Sequence, residues 1–328
     1  MLILNEHQIQ SFYGMEDAIK DVKRILHSKY QNKIETPFRT VIEFPEKEAS
    51  VLYMPSADIS QEYTTSKIVS IFPKNTIDAL PTTQGVTLLT SAENGKHLAL
   101  MNASYLTRLR TGAMTAIATD FLARKNASVL TMIGTGGMAL EQIVGVLAVR
   151  EIKRVYLYNP TQKKASVLKE QLEKMYGDVS FEVIDSVEEA TIQSDIINCA
   201  TRSLEKVLHA ETVKKGTHIN GVGSYLPHMR EIDPALITKE NKVVVDDIHG
   251  VMEEAGEFIF ADKTGNWSFD DIHSTLEQLV IHEKTGRVYE EEITIFKSVG
   301  AAYYDLAVAI GVYKKALQQK NIGVMVEI

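Results

Sequence analysis

The chain has 328 residues, which is more than one ordinary domain holds and enough for two. Its content of 45% hydrophobic and 24% charged residues is that of a globular protein with a buried core, and not of a disordered chain. The formal net charge is −8 and no large Lys/Arg cluster stands out, which argues against nucleic-acid binding. No run approaches about 18 uncharged apolar residues, so we expect no membrane span.

The first third of the chain predicts an α+β domain. Residues 15–30 have the spacing of an amphipathic helix. Strand-like segments follow at residues 41–44, 51–54, 66–72 and 85–89. Gly95 interrupts two apolar runs, which predicts a hairpin through residues 91–95.

The middle of the chain alternates short apolar runs, rich in β-branched residues, with longer helical patterns. Such an alternation predicts a parallel sheet with both faces covered, that is, an α/β Rossmann doubly wound fold. The predicted strands are Val129–Ile133, Val155–Tyr158, Phe181–Ile184, Asp195–Asn198, His218–Val222 and Val243–Val245. A last helix, at about residues 301–320, is expected to return to the first domain. We therefore divide the chain into residues 1–122 plus 301–328, and residues 123–300 as the NAD(P)-binding domain.

A glycine motif follows the first of these strands. Gly134, Gly136 and Ala139 form Gly-x-Gly-x-x-Ala before a helical pattern. The first position permits the tight turn, the second lets a pyrophosphate approach the backbone, and the third keeps the helix close to the strand. A glycine-rich turn without a ligand is the alternative, and a Walker loop is excluded because no Gly-Lys-Ser/Thr follows. We predict dinucleotide contacts from Gly134, Gly136, Gly137, Met138 and Ala139.

The end of the second strand bears on the choice of cofactor. An NAD enzyme usually has an acid here, which binds the ribose 2′-hydroxyl. This chain has the neutral Asn159, followed by Thr161, Lys163 and Lys164. A 2′-phosphate would meet no charge repulsion, so we predict that NADP(H) is preferred and that NAD(H) is possible. The alternative is that both lysines only solvate the first turn of a helix.

Other polar residues have weaker assignments. Thr111 is expected either to cap a helix over residues 113–123 or to contact a cofactor phosphate. Thr201 lies beyond the fourth strand, at the edge where open α/β sheets bind ligands. Asp246 and Asp247 are interpreted as a strand-end pair that caps or solvates a turn. The histidines lack metal-binding spacing, so we expect no metal site, and His228 is interpreted as a solvated loop residue.

The cysteine count and the N-terminus indicate a compartment. Cys199 is the only cysteine, so no disulfide forms within the chain, and we expect it to be an inert buried residue. The first six residues lack the basic and apolar regions of a signal peptide. These features predict a cytoplasmic protein.

Several segments in register give the chain a family resemblance. Arg108–Ala113, the loop at Gly134, Asn220–Ser224 and Glu292–Gly300 resemble motifs of the ornithine cyclodeaminase/μ-crystallin family, and Arg39 and Lys67 fall where that family has basic residues. The resemblance covers essentially the whole chain. It implies a homodimer in which the N-terminal part and the final helix bind substrate and dimerise. It also implies a small imino or amino acid substrate.

The same resemblance assigns roles to individual residues. Arg39, Lys67 and Arg110 are expected to bind the substrate carboxylate, because a guanidinium matches a carboxylate bidentately and a lysine adds a compact charge. Lys67 and Arg110 are also expected to be the catalytic pair. Without the resemblance, each would be interpreted as a surface charge or a salt-bridge partner. Val222, Ser298 and Gly300 are implied as further cofactor contacts.

One position departs from the family pattern. Cyclodeaminases and the archaeal alanine dehydrogenases have an aspartate where this chain has Tyr225, in the loop after the fifth predicted strand. A tyrosine hydroxyl is uncharged at neutral pH and is not a ready general base. We therefore predict an NAD(P)H-dependent ketimine reductase, with Δ1-pyrroline-2-carboxylate or its six-membered homologue as substrate and Tyr225 near it. The alternatives are ornithine cyclodeaminase, alanine dehydrogenase, or a crystallin-like protein that binds NADPH without turnover.

Overall fold

The computed structural model describes residues 1–78 and 80–327. The chain divides into two compact units, Met1–Arg110 with Ala301–Ile328, and Thr111–Gly300. The division falls inside a helix, nearer the N-terminus than the predicted boundary after residue 122. We call the two the N-terminal unit and the central unit. That they bind substrate and cofactor respectively remains a prediction.

The helices and strands are as follows. The chain begins with β1 (Leu2–Leu4), α1 (Glu6–Gln10), α2 (Met15–Tyr30), β2 (Ile34–Glu35), β3 (Thr40–Phe44), β4 (Ala49–Asp58), β5 (Tyr63–Ile71), β6 (Thr83–Ser91), β7 (His97–Asn102) and α3 (Ala103–Leu122). It continues with β8 (Val129–Ile133), α4 (Ala139–Leu147), β9 (Arg154–Tyr158), α5 (Gln162–Met175), β10 (Ser180–Val183), α6 (Val187–Thr191), β11 (Ile196–Cys199), β12 (His218–Gly221) and β13 (Lys242–Val245). It ends with α7 (Ile248–Glu254), α8 (Gly256–Lys263), β14 (Ser274–Thr275), α9 (Leu276–Val280), β15 (Thr294–Lys297), α10 (Ala302–Ala316) and β16 (Val324–Met325).

The N-terminal unit is an α+β structure built on one sheet. The strands lie in the order β16-β1-β7-β6-β5-β4-β2, with β3 paired to β4. β4 to β7 form an antiparallel meander, and the hairpin between β6 and β7 is the one that Gly95 predicted. Gly95 has φ +76°, a conformation that side chains disfavour.

Two helices pack on this sheet. α2 has the predicted bounds, and it buries Ala18, Val22 and Ile25 at the spacing of one helix face. α10 contacts α2 and the strands β4, β5 and β6, so the predicted return of the last helix to the first domain is confirmed. Nearly all of α10 is buried, including its single acid Asp305 in the first turn.

The central unit is a doubly wound parallel sheet, as predicted. Its strand order is β10-β9-β8-β11-β12-β15-β13-β14, and every neighbouring pair is parallel. Side chains along a strand alternate between two apolar clusters. Leu130 and Met132 belong to one cluster and Ile133 to the other. Both faces of the sheet are therefore covered, which is why its strands are almost continuously apolar.

The structure departs from the predicted elements in two places. The predicted strands did not include β15, which lies between β12 and β13. Its sequence Thr-Ile-Phe-Lys has only two apolar residues between two polar ones, so it did not stand out as a strand. The helix expected at residues 113–123 begins at Ala103. Thr111 is buried in the middle of α3, so the interpretation of Thr111 as a cap is wrong.

Within the described ranges, no helix combines the length and apolar character that crossing a bilayer requires.

Candidate functional site

The loop from Gly134 to Met138 joins β8 to α4. Gly134 has φ +94°, and a Cβ there would lie 2.7 Å from the carbonyl oxygen of Ala200, so only glycine fits. Its N–H donates to the Tyr158 oxygen at 2.9 Å, which fixes the turn against β9. A Cβ on Gly136 or Gly137 would meet nothing within 4 Å. The loop is tight at its base and open above, which is the shape that a pyrophosphate needs.

Polar groups around this loop fit a dinucleotide. The hydroxyl of Thr135 is buried and has no hydrogen-bond partner among the described residues. α4 begins directly after the loop, and its first N–H groups suit an anion. The side chain of Asn159 accepts from Thr135 N at 3.2 Å and donates to the Thr161 oxygen at 3.2 Å. Asn159 thus ties the phosphate loop to the start of α5, a role that the cofactor prediction did not include.

The topological switch point of the sheet lies between β8 and β11, where the strand order reverses. Thr201 follows β11, and a Cβ on Gly134 would come within 2.8 Å of its Cγ2. The N–H of Val222, after β12, donates to the Cys199 oxygen at 2.9 Å. The structure thus places Thr201 against the phosphate loop and Val222 after the neighbouring strand.

Ser298 and Gly300 follow β15 and are brought together by Asp246. Its buried carboxylate accepts from the Ser298 hydroxyl at 2.7 Å and from the Gly300 N–H at 2.7 Å. Burial raises the pKa of Asp246 in spite of these hydrogen bonds. Asp247 caps α7 through Gly250 N at 2.9 Å, as expected of a strand-end pair. The solvated role is wrong for Asp246, which orders the loop that carries Ser298 and Gly300.

The remaining predicted residues of the central unit differ in their exposure. Lys163 and Lys164 are exposed in the first turn of α5. Tyr225 is half-buried in the loop after β12, and His228 is exposed in the same loop. Cys199 is buried, as predicted, and burial raises the pKa of its thiol well above the ordinary value, which disfavours the reactive thiolate.

A group outside the predicted set has ligand atoms close enough for a cation. These are His209, Glu211 and Asp233, with atoms within 4.8 Å of one another. The Asp233 carboxylate, however, already accepts from Lys206 Nζ at 2.6 Å and from Ala235 N at 3.1 Å. A metal would have to displace the lysine, so this group does not have the form of a built metal site.

A basic cluster lies in the N-terminal unit. The ammonium of Lys67, on β5, is buried and lies 2.7 Å from Asp305 Oδ2. Arg110, at the end of the unit on α3, is also buried, with Nε 3.5 Å from Asp305 Oδ1. Thr107, one turn earlier on α3, donates to the same carboxylate at 3.3 Å. β5 contributes Lys67 to this cluster, α3 contributes Thr107 and Arg110, and α10 contributes Asp305.

The charges in the cluster influence one another. Burial lowers the pKa of Lys67, Arg110 and Arg39 lower it further, and Asp305 opposes them. Burial alone would raise the pKa of Asp305, but Lys67 and Arg110 outweigh it and lower that pKa. Arg39, half-buried before β3, is therefore near enough to repel the Lys67 ammonium. The structure thus brings together the three predicted cations, and these four side chains carry three positive charges and one negative charge.

Asp305 is the residue that sequence reasoning missed. It is a lone acid in an apolar helix, within Ala302–Ala316, and it is buried. A charged residue on the buried face of a helix is rare unless it is paired. That pattern was available in the sequence, but the last helix had been assigned only to packing and dimerisation.

Comparisons with known proteins identify the family of the chain. The model of the ornithine cyclodeaminase/mu-crystallin family matches residues 1–320. A Δ1-pyrroline-2-carboxylate reductase of Bacillus cereus is 36% identical over 100% of both chains. The Thermococcus litoralis Δ1-pyrroline-2-carboxylate reductase, solved with NADH and L-proline, is 36% identical with a TM-score of 0.94, over 99% of this chain and 100% of that one.

A further solved structure has a different activity. An archaeal alanine dehydrogenase dimer with bound NAD is 35% identical with a TM-score of 0.91, over 100% of this chain and 99% of that one. The family match spans nearly the whole chain, and these relatives have the same two-part architecture throughout. The chain belongs to the ornithine cyclodeaminase/mu-crystallin family.

Proposed function

We propose that this protein is an NAD(P)H-dependent reductase of a small cyclic imino acid, Δ1-pyrroline-2-carboxylate, which it converts to L-proline. The observation that carries the proposal is the buried cluster of Lys67, Arg110 and Asp305, with Arg39 beside it. Cations held in place at a buried position favour an anionic substrate. The similarity to reductases of this substrate over the whole chain supports the same assignment.

The roles of the cluster follow from its charges. Arg110 and Arg39 offer planar guanidinium groups to the substrate carboxylate, and Lys67 adds a compact charge. Asp305 contacts both Lys67 and Arg110, so it orients them, and its charge opposes the lowering of the Lys67 pKa by burial. Binding the carboxylate fixes the position of the adjacent C=N carbon, which is a contribution of orientation.

The reaction requires little proton chemistry from the chain. The reduced nicotinamide supplies a hydride to the imine carbon, and the electrons of the C=N bond move to the nitrogen. When the imine enters already protonated, the nitrogen becomes a neutral amine as it accepts these electrons, so it needs no proton from an enzymatic acid. Tyr225 in place of an aspartate is compatible with this step, whereas deamination of ornithine needs a group that takes up a proton.

The coenzyme proposal has two parts: the binding of a nicotinamide dinucleotide, and the preference for NADP(H) over NAD(H). Binding of a nicotinamide dinucleotide at Gly134, Gly136, Gly137, Met138 and Ala139 is supported by the open loop and by the unpartnered hydroxyl of Thr135. The remaining proposed contacts are Thr111, Asn159, Thr161, Lys163, Thr201, Val222, Ser298 and Gly300. We propose that NADP(H) is preferred because Asn159 is neutral and Lys163 is exposed nearby on α5. Titration of both reduced coenzymes tests this, and a clear preference for NADH would contradict it.

The rival activity that a specific observation favours is alanine dehydrogenase, given the similarity to the archaeal enzyme. The test is oxidation of NADPH or NADH by the purified protein with Δ1-pyrroline-2-carboxylate, with pyruvate plus ammonia and NAD⁺ plus ornithine in parallel. Fast turnover of the cyclic imine alone is expected. Turnover of pyruvate with ammonia would indicate an alanine dehydrogenase instead. Ammonia release from ornithine would indicate an ornithine cyclodeaminase. Either result would contradict the proposal. Tight coenzyme binding without any turnover would favour a non-catalytic role.

Assembly and location are also proposed. A homodimer is supported by the similarity to the dimeric archaeal enzyme, and analytical ultracentrifugation tests it. The single buried cysteine suits the reducing cytoplasm. We propose that substrate binding and dimerisation belong to residues 1–122 and 301–328, and coenzyme binding to residues 123–300.

A further inference from the structure

Glu231 connects two loops of the central unit. Its side chain is completely buried. One carboxylate oxygen accepts from the N–H of Thr201, directly after β11. The other accepts from Gly223 N at 2.7 Å and from Ser224 N at 2.9 Å, in the loop after β12. A single carboxylate thus anchors the carboxyl ends of two adjacent parallel strands.

The two loops lie too close together for side chains between them. A Cβ on Gly223 would lie 2.2 Å from both the N and the O of Thr201, and 2.6 Å from Glu231 Oε1. Thr201 in turn packs against Gly134 of the phosphate loop. The anchor at Glu231 therefore sets the position of Thr201 relative to the loop that is proposed to bind the pyrophosphate.

A buried ionic network surrounds this anchor. The ammonium of Lys297, which is fully buried, donates to Glu257 Oε1 at 2.9 Å and to the Ser224 oxygen at 2.7 Å. The hydroxyl of Ser224 donates to the Glu257 carboxylate at 2.8 Å. Burial raises the pKa of Glu231; Lys297 opposes this rise and Glu257 adds to it. Buried ions seldom add net stability over apolar packing, so a network of this size is better explained by the geometry that it holds.

We propose that Glu231 is a positioning residue for the nicotinamide end of the coenzyme, acting through Thr201, Gly223 and Ser224. The inference rests on the proposed function, because it assumes that the loop at Gly134 binds a nicotinamide dinucleotide. In a doubly wound sheet the coenzyme crosses the carboxyl ends of the strands at the switch point, here between β8 and β11. The pyrophosphate belongs at the glycine loop, so the loops after β11 and β12 are left for the nicotinamide half.

The test is Glu231→Gln, which keeps the size of the side chain. A glutamine has only one oxygen that can accept hydrogen bonds. Its NH₂ group would face the backbone N–H of one of the two loops, and two donors cannot bond each other, so the hydrogen bonding to that loop is lost. The dissociation constant of NADH is measured through the fluorescence of the bound reduced nicotinamide. Binding of ADP-ribose, which lacks the nicotinamide, is measured by calorimetry. We expect NADH to bind about tenfold more weakly, the typical effect of losing a hydrogen bond to a charged group, and ADP-ribose to bind as in the wild type.

The control is Asp233→Asn, a substitution at another buried carboxylate that accepts backbone N–H bonds, from Ala210 and Ala235. It should change neither the affinity for NADH nor that for ADP-ribose.

Wild-type NADH affinity in Glu231→Gln, or an equal loss of affinity for NADH and ADP-ribose, would overturn the proposal. If Glu231→Gln does not fold, Glu231→Asp keeps the charge but is too short to reach both loops, and the same two outcomes apply. Both measurements are of binding, so a wild type inactive on the imine would refute the proposed function and leave this test intact.

Discussion

Asp305 governs the charge state of the basic cluster, because Lys67 and Arg110 both contact its carboxylate. The three cations were predictable because each lies in or near a recognisable segment. The acid was not, since it lies in an otherwise apolar helix far along the chain from them. Only folding shows that a residue on α10 meets one on β5. A site made of side chains from distant segments is therefore predicted by sequence only where a motif marks each member.

Asp305→Asn tests this dependence. Burial, Arg110 and Arg39 lower the pKa of Lys67, and Asp305 is the group that raises it. Without Asp305, the pKa of Lys67 falls further, so its ammonium is lost at a lower pH. We expect kcat/KM for the imine to fall roughly ten- to a hundredfold, as for other disturbed substrate-positioning groups, and its alkaline limb to move to lower pH. Asp21→Asn, at a buried acid that bonds Tyr13 at 2.7 Å, is the matched control. An unmoved alkaline limb would refute this role.

Arg110→Ala tests the carboxylate clamp directly. The substrate carboxylate loses a buried cationic partner, so kcat/KM should fall by roughly a hundredfold. The fall should be mainly an increase in KM if Arg110 binds the substrate and the transition state equally well. Arg110→Lys should recover part of the loss, because it keeps the charge but not the planar fork. Arg108→Ala is the control, since Arg108 lies on the same helix and pairs with Glu6. An Arg110→Ala enzyme with wild-type kcat/KM would exclude the clamp.

At the scale of elements, the spacing of apolar residues and the local composition predicted the long, regular helices and strands. α2 was predicted to the residue, and β8 likewise, because each has an uninterrupted pattern and clear ends. β1 and β15, with three and four residues, are too short to show a period, and they are strands because their neighbours supply the hydrogen bonds. The early part of α3 was missed because the helix was predicted to begin only at residue 113, whereas it begins at Ala103.

The phosphate loop allows a paired prediction. Gly134→Ala places a Cβ 2.7 Å from the Ala200 oxygen at a positive φ, so it should lower both the melting temperature and coenzyme affinity. Gly136→Ala meets nothing within 4 Å, so it should leave the melting temperature near that of the wild type. Its methyl group would occupy room that the pyrophosphate needs, and we expect NADH affinity to fall. Thermal unfolding and coenzyme titration of both variants check this, and full NADH affinity in Gly136→Ala would argue against a pyrophosphate at this loop.

At the scale of the whole molecule, the fold class followed from the alternation of strands and helices, and the strand order did not. β15 lies between β12 and β13, although it follows both of them in the chain, and the sequence did not predict it as a strand. Nothing in the local pattern of β15 encodes its partners. Right-handed connections restrict the topologies of a parallel sheet, but they still leave several orders open. The proposed division of substrate and coenzyme binding between the two units depends on the same long-range information.

The stability of the molecule should depend on one buried histidine of this sheet. His218, on β12, lies 2.9 Å from Thr294 Oγ1 through Nδ1 and 3.1 Å from Asn220 Oδ1 through Nε2. Burial, with the charge of Arg287, lowers its pKa to about 3, so the folded chain keeps it neutral. The unfolded chain takes up this proton below its ordinary pKa, near 6.5. As pH falls from there toward 3, the free energy of unfolding should therefore lose up to about 1.4 kcal/mol per pH unit through this group.

Urea denaturation of wild type and His218→Gln at a series of pH values measures this loss. The variant should be less stable at neutral pH, because an amide replaces only part of the hydrogen bonding. It should also have a shallower decline in the free energy of unfolding as pH falls below about 6.5. His228→Gln, at an exposed loop position, should keep the wild-type decline. Parallel curves for wild type and His218→Gln would mean that His218 takes up its proton in the folded chain as readily as in the unfolded one.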